Sequence, residues 1–134
     1  MKNRELIYKL YNVCYRVTGD RHLAQELCTN TIEKLRQTTV LDAKDGFITA
    51  LKIATELLLR QKACNTVPDE ILEDSSILVQ KALMKLPTKE RIVVTLHDIC
   101  GLSYSDIMLI LINEDVHLLS QRGREKIVRS LHNC

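Results

Sequence analysis

The residues best suited to chemistry sit late in the chain, where Arg122, Arg124, Lys126 and Arg129 follow one another two or three residues apart. On a helix such a run offers cations to an anionic polymer, and phosphate contact is the chemistry it implies. The same run also suits the solvated face of a terminal helix. His97 and Cys100 stand at i, i+3, a spacing that can begin a metal site, but no second pair has suitable spacing and His132 and Cys134 share only a tail. No nucleophile–base–acid set, paired carboxylates or Gly-rich phosphate loop is present. The chain is therefore expected not to be an enzyme and to hold no metal or cofactor. Its five cysteines (14, 28, 64, 100 and 134) are odd in number and contain no CxxC pair, which fits reduced thiols in the cytoplasm better than a disulfide framework.

These residues need elements to position them. The chain has 134 residues, 46% of them hydrophobic and 27% charged, enough for one ordinary domain or two small lobes. Four Gly and two Pro leave few turns, which argues against a sandwich or barrel. The net charge of +2 is too small to mark a nucleic-acid binder by itself. The longest apolar run, 107–112, is too short to span a membrane, and no secretory leader is expected.

Apolar side chains recur with helical period through the first half. Leu6, Ile7, Leu10, Tyr11, Val13, Cys14 and Val17 form one stripe, which Gly19 breaks. Tyr8, Tyr11 and Tyr15 fit a core stripe better than a base-stacking platform. Asp20 can cap a second helix carrying Leu23, Ala24, Leu27, Cys28, Ile32 and Leu35. Asp45-Gly46 opens a third, running to about Lys62. The stretch 63–75 holds Pro68 and four acids with no base, and reads as an acidic linker, either a solvated spacer or a shield for a basic face. Beyond it, Ser75 or Ser76 caps a helix to Leu86, and Thr88 caps the next, which buries Ile92, Val93, Leu96, Ile99 and Cys100. Gly101 stops that helix. Ser103 caps a short helix, with Asp106 in a capping-box-like position. A last helix runs from about Glu114 to Leu131. The expected fold is all-α: a helical lobe (1–62), the linker (63–75) and a second lobe (76–134) whose last two helices have helix-turn-helix proportions. Lobes of about 60 residues are marginal alone, so they should pack on each other or on a partner.

The second lobe reads Ala82-Leu83, Leu86-Pro87, Arg91, Leu96, Gly101-Leu102-Ser103-Tyr104, Ile107 and Leu111. That resembles region four of an extracytoplasmic-function (ECF) sigma factor. The first lobe, with Tyr15-Arg16-Val17-Thr18-Gly19-Asp20, Ala24-Gln25-Glu26-Leu27, Phe47, Leu51, Ile53-Ala54 and Arg60, resembles region two. The resemblance implies a two-lobed cytoplasmic transcription-initiation protein that binds the RNA polymerase core and promoter DNA, and that an anti-sigma factor can hold in check. It implies polymerase contacts at Ala24, Gln25, Glu26 and Leu27, and DNA contacts at Ser103, Tyr104, His117, Gln121, Arg122, Arg124 and Lys126.

Some positions depart from the family pattern. Ala50 replaces a Trp, and Thr55-Glu56 replace Arg-Asn, so the first lobe has little to stack on unpaired bases. Met108 stands where a small residue lets two helices approach. Ile112 replaces the turn glycine, and Asn113 beside it can take the left-handed position instead. Glu114 and Asp115 open the recognition helix with acids, and Gln121 replaces an Arg. Leu109 is an apolar residue at an expected surface position. These features keep a rival reading open: a sigma fold that binds proteins only, as an anti-sigma decoy or half of a split sigma pair. A stand-alone helix-turn-helix repressor accounts for the second lobe alone.

Overall fold

The computed structural model describes residues 3–37, 43–60 and 74–132. Among these the chain is helical, with no strand. The elements are α1 (Asn3–Thr18), α2 (Arg21–Arg36), α3 (Ala43–Arg60), α4 (Asp74–Met84), α5 (Thr88–Val94), a π-helical turn (Thr95–Ile99), α6 (Tyr104–Ile110) and α7 (Val116–His132). Residues 63–73 of the expected linker lie outside the described residues, while 74 and 75 already belong to α4. None of the described helices is long and apolar enough to cross a membrane.

Local chemistry sets most of the boundaries. Asp20 caps α2, its Oδ1 accepting from the Leu23 amide at 3.1 Å. Ser103 caps α6 through the Asp106 amide, also at 3.1 Å. Three expected starts shift. Thr88 is the first residue of α5, and Pro87, whose side chain has no acceptor to offer, precedes it without a side-chain cap. The helix expected at Asp45-Gly46 begins at Ala43, and α4 begins ahead of both candidate serines.

One apolar core runs through both halves. Leu10, Val13, Cys14 and Val17 of α1 pack with Ala24 and Leu27 of α2 and Ala50, Leu51 and Ala54 of α3. The same cluster continues into Ile92, Val93 and Leu96, then Ile107, Ile110, Leu111 and Val116. A smaller cluster of Leu83, Leu86 and Val94 lies beneath Ile127 of α7. Burial, followed by the neighbouring Cys28, pushes the Cys14 thiol far up, and burial pushes Cys28 up as well. Both stay protonated and serve as small apolar side chains. The tyrosine stripe divides: Tyr15 is buried and Tyr8 is exposed.

Polar groups join the halves where α1 ends. The last carbonyls of a helix have no partner within it. Here Tyr15 O accepts from the Gly19 amide at 2.7 Å, Arg16 O from Gln80 Nε2 at 3.0 Å and Val17 O from Arg91 Nη1 at 2.9 Å. The second half thus closes two of these positions. Gly19, at φ +69°, lies so close to Met84 that an added Cβ would stand 2.8 Å from its Sδ.

The turn between α6 and α7 holds by the substitution expected from sequence. Asn113 takes φ +66°, which leaves Ile112 free of the left-handed region. Asn113→Gly is expected to keep stability within about 0.5 kcal/mol, whereas Asn113→Val should cost about 1–2 kcal/mol. Urea unfolding of the two variants checks this; equal stabilities would refute it.

Candidate nucleic-acid interface

The last two helices differ in how they are held. α6 buries Ile107 and Ile110 and leaves Met108 and Leu109 outside, Leu109 at 59% exposure. Met108 therefore does not sit between helices. The close approach lies elsewhere, at Gly123, where α7 crosses α5: a Cβ there would meet Val94 Cγ2 at 2.6 Å. α7 buries Val116, Ser120 and Gly123 on one stripe. Its start also moves. Asp115 precedes the helix and its Oδ1 accepts from the Leu118 amide at 3.1 Å, while Glu114 pairs with Lys89 at the start of α5. The two acids expected to open the recognition helix instead cap it and tie it down.

The sequence-derived DNA contacts fall into two groups. Tyr104 lies between two imidazoles, stacked on His97 with ring centroids 4.0 Å apart and tilted against His117 at 4.3 Å. Its hydroxyl meets Ser120 Oγ at 2.9 Å, so α6 is fastened to α7 through this ring. His97 Nδ1 lies 2.8 Å from Leu102 O; a carbonyl only accepts, so the imidazole donates. Ser103 is committed as a cap, and His117 is exposed at the end of the stack.

The cations of α7 are unequal. Arg124 Nε donates to both oxygens of Asp98, at 3.1 and 3.0 Å, and the hydrogen bond and then the charge of Asp98 push its guanidinium further up. Lys126 Nζ reaches both oxygens of the buried Glu90, at 2.8 and 3.0 Å. Gln121 Nε2 contacts Glu125 at 3.4 Å. Arg122 and Arg129 are exposed, two helical turns apart, with no ion pair among the described residues. Two of the expected phosphate contacts are thus already neutralised within the chain.

Residues 76–107 match the family model for sigma-70, region 4. The region-four match supports a sigma-factor-like protein. It takes in α4, α5, the π turn and the first half of α6. It stops short of Met108, Ile112 and Glu114, the positions that departed from the family pattern. No curated protein matches the chain.

The residues that carry the first-half resemblance run from α1 to α3. Ala24 and Leu27 are buried in the core; Gln25 and Glu26 are exposed on α2. Ala50 and Thr55 are likewise buried, and Glu56 is exposed. Sequence reasoning missed Gly123, Asp98 and Glu90. An isolated glycine inside a helical pattern was the one available signal for Gly123. Asp98 and Glu90 find partners 26 and 36 residues away, beyond any local pattern.

Proposed function

We propose that this chain is an ECF-type sigma factor: it binds the RNA polymerase core through the α2 surface around Gln25 and Glu26, and promoter DNA through α7. The observation that carries the reading is the region-four match, which takes in the Ser103-capped start of α6 and is followed by an α7 with outward arginines. Arg122 and Arg129 supply the first phosphate contacts, and Arg124 and Lys126 join only if Asp98 and Glu90 release them. The role is non-catalytic and places the chain in the cytoplasm. Transcription reconstituted with core polymerase on a promoter-selected library tests the reading. Promoter-specific transcripts are expected, and polymerase binding without transcripts would reject it.

The protein-only reading draws on specific observations: the paired Arg124 and Lys126, the acids at 114 and 115, and the exposed Leu109. Asp98→Asn separates the two. If α7 reads DNA, freeing Arg124 should raise affinity for duplex DNA severalfold at about 50 mM salt and steepen the log–log salt slope by about one. A chain that binds only proteins should show no DNA affinity with either residue at 98.

A further inference from the structure

α1 carries Lys9, Asn12, Val13 and Arg16 at i, i+3, i+4 and i+7, on one face. That face lines a cavity of about 500 Å³ that Phe47 of α3 and Ile99 and Cys100 complete. The volume lies in the range of small-molecule sites, about 300–1,000 Å³. Three features give it a chemical preference. Its described lining includes two cations and no carboxylate. Arg16 is held in place, Nη1 donating to Gln80 Oε1 at 3.3 Å while its own carbonyl accepts from Gln80 Nε2 at 3.0 Å. Finally, the π turn ends at this cavity. A wider helical turn is a frequent device at functional sites, and here it leaves Ile99 42% exposed at the end of a helix whose preceding apolar residues are buried.

We propose that this cavity is a binding site for a small amphipathic organic anion of the arylalkyl carboxylate class. The Arg16 guanidinium takes the carboxylate, Lys9 adds attraction two turns away, and Val13, Phe47 and Ile99 receive the apolar body. Because the site joins α1 and α3 to the π turn, a ligand there binds the folded chain across both halves and raises its melting temperature. The site is separate from α7, so it stands whether or not α7 reads DNA.

The test is a ¹H–¹⁵N NMR titration of the whole chain with 4-phenylbutyrate, beside its neutral counterpart 4-phenylbutanamide. Saturable shifts are expected at Lys9, Asn12, Arg16, Phe47, Ile99 and Cys100, with the carboxylate bound about tenfold more tightly than the amide. Arg16→Gln should cut the carboxylate's tenfold advantage to about the threefold that Lys9 supplies. Since Arg16 also holds Gln80, Lys9→Gln and Ile99→Glu carry the test should that variant lose its fold. The first should weaken the carboxylate about threefold, and the second, at a half-exposed position, should abolish its binding. Equal affinity of the parent chain for carboxylate and amide, shifts confined to other surfaces, or no shift at about 10 mM would overturn the proposal.

Discussion

Replacing Arg91 with methionine is expected to lower the free energy of unfolding by about 3–5 kcal/mol, a large part of what a chain of this size has. Arg91 is 3% exposed and donates to four backbone carbonyls: Leu83 at 3.0 Å, Met84 at 3.2 Å, Leu86 at 2.8 Å and Val17 at 2.9 Å. Burial pushes its guanidinium down, but those acceptors keep the charge worth holding. Methionine matches the stem and supplies no donor. Met84, Leu86 and Val17 then lose this donor, at about 1–3 kcal/mol for any carbonyl that water cannot reach, while Leu83 O keeps the Leu86 amide at 3.0 Å. Lysine should do little better, because one ammonium cannot span four acceptors that a planar fork reaches. Urea unfolding followed by circular dichroism at 222 nm gives the number. A loss below about 1 kcal/mol would mean the carbonyls find other donors.

Gly123→Ala is expected to destabilise the chain by about 2 kcal/mol, although alanine is the better helix former by about 0.8–1 kcal/mol. The new methyl would stand 2.6 Å from Val94 Cγ2. Val94 is buried and β-branched, so it has little rotamer freedom with which to retreat. Overpacking therefore outweighs propensity. The check is a double-mutant cycle with Val94→Ala. Removing the obstructing methyls should make Gly123→Ala neutral or stabilising, with a coupling of about 2 kcal/mol. Independent, additive effects would show that α7 shifts away instead.

The sequence displayed the parts of this fold that are local. Apolar spacing placed α1, α2 and α7, while Asp20, Ser103 and Asn113 showed their roles because caps and left-handed positions demand particular side chains. The Leu86-Pro87-x₃-Arg91 spacing was visible but its cause was not: Arg91 lies one turn into α5, where it can reach back to the end of α4. The π turn left no trace, since one extra residue in a helical turn does not break an apolar stripe. The charge pattern of α7 misled for a related reason. Arg122, Arg124 and Lys126 look alike in a string of letters. Only tertiary packing brings Asp98 and Glu90 to two of them and leaves the third in water.

The bond from Arg91 to Val17 spans 74 residues of chain. A ribosome adding about 5–20 residues per second needs roughly 4–15 s to bridge that interval. Throughout it, Val17 O lacks its Arg91 donor, and Leu10, Leu27 and Leu51 lack the cover of Ile92 and Leu96. The nascent first half is thus a natural client for a chaperone at the tunnel exit. A transcript broken shortly after codon 62 would yield an aggregation-prone fragment instead of a working half.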